Sequence, residues 1–128
     1  MIDQKKEKPV LLSILELGGY PDFSKLYQAL GFQVNMIDSM RKALKFIKNN
    51  QLQVIVVEFN FQSDFRDRSS QLESLMASIA QSPEVKVIVF YDKEQSMQFS
   101  KVNERYNFYS TLTYPIEAEG LKSILEQI

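Results

Sequence analysis

The chemistry open to this chain is narrowed first by what it lacks: it contains no histidine and no cysteine. The commonest general base and transition-metal ligand are therefore missing, as are thiol nucleophiles, disulfides and zinc–thiolate sites. Carboxylate, lysine and tyrosine chemistry remain. The residues that could carry it stand at or just past the ends of apolar runs: Glu16, Glu58, Tyr91, Lys93 and Tyr114, the last followed by Pro115. A carboxylate so placed can attack a phosphoryl group if a hard cation and an ammonium balance the charge. Gly18-Gly19 precede a helical stretch, where backbone N–H groups could meet an anion. Pro21 removes one such N–H, and there is no Walker or G-x-G-x-x-G pattern, so this segment reads as a flexible turn.

The elements that would position these residues follow from periodicity. Five short apolar runs, Val10–Leu15, Val34–Ile37, Leu52–Phe59, Val85–Tyr91 and Phe108–Leu112, alternate with stretches of helical period. Several runs are continuous rather than alternating, as strands covered on both faces require. Between them, Phe23/Leu26/Tyr27/Leu30, Met40/Ala43/Leu44/Ile47, Leu72/Leu75/Met76/Ile79 and Leu121/Ile124/Leu125/Ile128 each fall at i, i+3, i+4, i+7 and line one helical face. Gln95–Tyr106 carries only a loose stripe of Met97, Val102 and Tyr106. Met36, Met40, Met76 and Met97 read as core or helix-face residues. Gly31 follows the last apolar residue of the first helix, as a C-terminal stop should. This alternation predicts an α/β flavodoxin-like three-layer sandwich, a five-stranded parallel sheet of order 2-1-3-4-5 with five helices. Ligands of such sheets bind beyond the carboxyl ends of the strands. Function is therefore expected around Leu15–Tyr20, Glu58–Gln62, Tyr91–Lys93 and Thr113–Pro115.

The 128 residues suit one core. Residues 1–9 read as a frayed tail and 10–128 as one domain. With 15 basic and 16 acidic side chains the net charge is -1, which gives no general attraction to nucleic acid or to a membrane. The apolar run after the tail is too short for a signal-peptide core or a bilayer span, so a cytoplasmic protein is expected. Asp64–Arg68 alternates in sign and reads as a solvated loop, with an adhesive patch of Phe59, Phe61 and Phe65 as the lesser alternative.

Two segments carry a family resemblance. Gly31-Phe32-Gln33-Val34 through Glu58-Phe59-Asn60 resembles the pattern of response-regulator receiver domains: a Gly-aromatic pair before strand 2, an Ala-Leu pair in helix 2 (Ala43-Leu44), and an apolar strand 3 (Val54–Val57) ending at the phospho-acceptor. Leu112-Thr113-Tyr114-Pro115-Ile116, ahead of an amphipathic terminal helix, resembles the Lys-Pro-Phe motif that closes strand 5. The resemblance runs from about Val10 to Ile128 and implies a CheY-like fold and a place in bacterial two-component signalling.

The departures are chemical. Glu58 stands where receivers carry the acceptor Asp, Tyr114 replaces the Lys, and of the acidic pair after strand 1 at most Glu16 remains. The Ser/Thr switch position falls on Tyr91, or on Phe90 if the register is shifted by one. Glutamate is one methylene longer than aspartate, which displaces its oxygens by roughly 1.5 Å, and a misplacement of about 1 Å already costs on the order of 100-fold in rate. Magnesium needs oxygen ligands that are largely missing. The resemblance thus implies a degenerate pseudo-receiver, not an enzyme, with no cofactor and no metal. Glu58 reads as a solvated carboxylate at a strand end or as a fixed, imperfect mimic of the phosphorylated state. Tyr91 and Tyr114 are expected over the old crevice, either filling it together with Phe61 or standing as partly buried strand-end aromatics.

Function is then expected through a protein partner. By resemblance, the surface lies on helix 4, strand 5 and helix 5, about Met97–Tyr106, Phe108–Leu112 and Glu119–Ile128, with Met97, Val102, Tyr106, Tyr109 and Leu121 as contact residues. Homodimerisation there is an alternative. The rival readings are an active phospho-receiver using Glu58, a small-ligand sensor at the strand ends between Gly18–Tyr20 and Tyr114, and, least favoured, a flavodoxin-type electron carrier, for which the Thr/Ser-rich phosphate loop is missing.

Overall fold

A computed structural model of the chain describes residues 8–15, 21–59 and 70–128. The order of elements is β1 (Val10–Ile14), α1 (Ser24–Ala29), β2 (Gln33–Ile37), α2 (Met40–Asn49), β3 (Val54–Glu58), α3 (Ser70–Ser78), β4 (Lys86–Asp92), a 3-10 turn (Lys93–Gln95), α4 (Ser96–Asn103), β5 (Ser110–Tyr114) and α5 (Ala118–Glu126). All neighbouring strands pair in parallel, in the order β2-β1-β3-β4-β5. This is the flavodoxin-like arrangement that strand–helix alternation predicts.

The central strands explain their own composition. β3 lies between β1 and β4, and all five of its residues are buried. Its continuous Val-Ile-Val-Val run is needed because each residue meets a covered face. On one face, Leu11, Val54, Val56, Ile88 and Phe90 pack with Tyr27 of α1 and with Leu121 and Leu125 of α5. On the other, Leu12, Ile14, Ile55, Val57, Val87 and Val89 pack with residues of α2, α3 and α4. The edge strands β2 and β5 are only partly covered, and their polar residues match that.

β5 differs from the expected run. It begins at Ser110 and continues through Thr113 and Tyr114, because Ser110 pairs with Ile88 and Tyr114 with Asp92. Thr and Tyr suit a half-covered strand as well as aliphatic residues do. Phe108 instead precedes the strand and packs against the α4-side core. The expected methionine roles divide: Met40 is buried and Met76 packs against the core, whereas Met36 and Met97 are exposed.

Two local devices shape the helices. α1 ends in a left-handed turn at Gly31 (φ 98°), where the Gly31 N–H donates to Gln28 O at 3.0 Å and the Phe32 N–H to Tyr27 O at 3.1 Å. That pair of bonds is a Schellman closure. α2 is capped by Ser39, whose side chain accepts from the Lys42 N–H at 3.2 Å. It carries Arg41, Lys42, Lys45 and Lys48, all exposed, and no acid. Three like-charge pairs at i, i+3 or i, i+4 result (Arg41/Lys45, Lys42/Lys45, Lys45/Lys48), each destabilising by about 0.2–0.5 kcal/mol.

Candidate functional site

Glu58 closes β3 at its carboxyl end, paired in register with Phe90 of β4. Alternation along the strand sets it on the α1/α5 face with Val54 and Val56. It is only 7% exposed, so the expected solvated carboxylate is not what the fold holds. Glu58 and Ser13 are the buried polar side chains among the described residues. Ser13 pairs in register with Val56, one strand over and two residues below Glu58. Its hydroxyl, buried within β1, has no hydrogen-bond partner among the described residues.

Among the described residues, the flank of Glu58 toward β4 and α1 is apolar and aromatic. Phe90 is fully buried, and Phe23, just before α1, meets its ring edge-on at 6.2 Å. Leu112 is the residue of β5 level with Phe90. Tyr114 lies two residues beyond that level on the same face, about 7 Å further along the strand, paired with Asp92 and 42% exposed. Its peptide bond to Pro115 is cis, and Pro115 is exposed.

Tyr91 does not join this group. It is level with Thr113 on the opposite face, and its ring stacks on Phe99 of α4 at 4.4 Å. Phe99 also meets Phe59 at 5.2 Å and Phe108 at 6.0 Å, and Phe108 meets Tyr106 at 6.0 Å. The expectation that Tyr91 and Tyr114 share one crevice is corrected: β4–β5 register sends them to opposite sides of the sheet. Tyr91 is a partly buried strand-end aromatic, and Phe59 is core rather than part of an exposed patch. Phe99, the hub of this cluster, was missed in the sequence. Its clue was the spacing Phe99/Val102/Tyr106, a better helical stripe than one containing Met97.

Glu16, Gly18–Tyr20, Phe61 and Asp64–Arg68 lie outside the described residues. Among the described residues, no three acidic side chains are close enough to hold a metal ion, and no helix is long and apolar enough to cross a membrane.

The expected interaction surface divides as well. Met97 is 76% exposed, and Tyr109 is exposed with the Lys86 ammonium 5.8 Å above its ring. Tyr106 is half-buried, with the Arg105 guanidinium over its ring, and Arg105 is ion-paired to Glu73 of α3. Val102 and Leu121 are buried and are withdrawn from the surface: each occupies the sheet-facing stripe of its helix and belongs to the core.

The sequence matches no protein-family model and no curated protein. Solved structures do match over nearly the whole chain. A response regulator receiver domain protein from Clostridium thermocellum superposes with a TM-score of 0.71 at 15% identity, covering 93% of this chain and 92% of that one. A sensor protein from Polaromonas sp. JS666 gives 0.70 at 19% identity, covering 94% and 95%. A CheY-like receiver domain from Methylobacillus flagellatus gives 0.71 at 17%, covering 94% and 98%. The chain therefore has the fold of CheY-like response-regulator receiver domains.

Proposed function

We propose that this chain is an atypical receiver-like signalling module that acts through protein–protein contact without itself carrying a phosphoryl group. One observation carries the reading. The acceptor position is a glutamate, 7% exposed beside Phe90, and the position matched to the receiver lysine is Tyr114. Phosphorylation would add nearly two charges and three oxygens at a site with an apolar flank. Tyr114 brings a phenol where an ammonium is required. Glu58 thus leaves a longer carboxyl side chain at the crest of the sheet in place of the receiver's acceptor aspartate.

The face offered to a partner is that of α4, β5 and α5, where Met97, Tyr109 and Tyr114 are exposed large side chains. A second copy of the chain is one occupant of that face. Light scattering at high micromolar concentration reads this directly: a dimer dispersed by Met97→Asp and Tyr109→Asp is the expected result if self-association uses the face.

Incubation with acetyl phosphate and magnesium, followed by intact mass, tests the central claim. The mass is expected to stay unchanged. A gain of one phosphoryl group that disappears in Glu58→Gln would overturn the reading in favour of an active receiver.

A further inference from the structure

Helix α2 gathers charge of one sign. Arg41, Lys45 and Lys48 fall within about 60° of one another around the helix and span about 10 Å along it, on the side away from Met40 and Ala43. Lys42 borders the stripe and pairs with Asp38 at 3.4 Å, both largely exposed. Arg41, Lys45 and Lys48 form no ion pair among the described residues. The arrangement works against the helix that bears it. Like charges repel in the three pairs Arg41/Lys45, Lys42/Lys45 and Lys45/Lys48, and Arg41 and Lys42 stand in the first turn, where the macrodipole disfavours cations. Among the described residues, the exposed Lys42–Asp38 pair and the last-turn place of Lys48 offset that repulsion only in part.

We propose that the α2 stripe docks an acidic segment of a partner protein, about one short helix in length. The charge of the rest of the chain selects this occupant over other polyanions. Of 15 basic and 16 acidic residues, removing the four on α2 leaves 11 against 16, a net charge of −5. A nucleic acid or an anionic bilayer extends past the stripe and meets a chain whose remaining net charge is −5. A short acidic segment matches the roughly 10 Å span of the stripe. Beside Lys42, a groove lined by Leu15, Met36, Ile37 and Asp38 offers such a segment an apolar contact, with the Asp38 carboxylate paired to Lys42 at 3.4 Å. The inference deepens the signalling reading by naming a second surface and its partner's chemistry. It rests on that reading only in taking the partner to be a protein.

Fluorescence anisotropy with a labelled Glu/Ala-rich peptide tests it on the full chain, alongside a labelled DNA duplex and phosphatidylserine-containing vesicles. The peptide is expected to bind saturably at low salt and to weaken as salt rises. Lys45→Glu/Lys48→Glu should lower its affinity by about tenfold or more, and Lys45→Gln/Lys48→Gln by less. Lys8→Glu/Lys25→Glu, exposed and outside both α2 and the α4/β5/α5 face, should leave it unchanged. Peptide affinity unaffected by both α2 variants, equal loss in the distant variant, or tighter binding of duplex or vesicle would each overturn the proposal. Should the Glu variant fail to fold, the Gln variant decides alone. None of these outcomes bears on phosphorylation of Glu58, so the two readings fail separately.

Discussion

The ring of Tyr91 stacks on that of Phe99, centroids 4.4 Å apart and planes 21° from parallel, on the face of the sheet opposite Glu58. The end of β4 is thereby fastened to α4 by an aromatic contact. Phe59, the residue after Glu58, reaches the same Phe99 ring. The crest of the sheet and the α4 face are joined through Phe99.

Phe99→Ala is accordingly expected to be among the most damaging single changes, costing about 3–5 kcal/mol as buried aromatic truncations do. Met97→Ala, two residues earlier but 76% exposed, should shift stability by less than about 0.5 kcal/mol. Urea denaturation of the two variants measures both. Similar losses would mean that α4 is rotated from the register described.

Ser13 offers the opposite sign. Its hydroxyl is buried without a hydrogen-bond partner among the described residues, a situation that costs on the order of 1–3 kcal/mol. Ser13→Ala removes the unsatisfied group at little loss of volume and should leave the protein as stable or more stable, by up to about 1 kcal/mol. A clear destabilisation in the same denaturation assay would show that the hydroxyl has a partner.

The fold was legible because its evidence is local and repeated. Val54–Val57 could be read as a two-faced strand from its lack of alternation, and Gly31 as a helix stop from its place after Leu30. The candidate site was legible only as a set of positions. Glu58, Tyr91 and Tyr114 all stand at strand ends, as expected, but which face each takes depends on the β4–β5 register. That register is set by β5 starting at Ser110 rather than Phe108, a choice between two segments of similar β propensity. Val102 and Leu121 show a related limit: resemblance names the helices of an interface, not the side of each helix that faces out. The polar residues between Phe99 and Tyr106 diluted a stripe that was nonetheless present. The burial of Glu58 was hidden because carboxylates are seldom buried.

Gly31 holds φ 98°, and a Cβ there would meet no atom within 4 Å. Any cost of Gly31→Ala is therefore conformational, about 1–2 kcal/mol for an L-residue in the left-handed region. Gly31→Asn should cost less, since asparagine tolerates that region best among residues with side chains. Thermal unfolding that ranks Gly, Asn and Ala in this order supports the Schellman closure, and an unchanged Ala variant would refute it.

Tyr27 gives the protein a predictable alkaline limit. It is 1% exposed, and burial, with a smaller contribution from the Asp22 charge, raises its phenol well above the ordinary value of 10.0. Asp22 stays ionised because its carboxylate accepts the Ser24 N–H at 2.9 Å, which lowers its own pKa. The unfolded chain loses the Tyr27 proton near pH 10, whereas the folded chain keeps it to higher pH. The folded state then binds more protons, so stability is intact below pH 10 and falls as pH rises from there toward the folded value. Within that window the loss approaches about 1.4 kcal/mol per pH unit from this group. Tyr27→Phe removes it, so denaturation midpoints followed across the alkaline range should decline more steeply in the parent protein than in the variant. Parallel declines would show that Tyr27 ionises as readily in the folded chain as in the unfolded one, which its packing between α1 and the sheet should prevent.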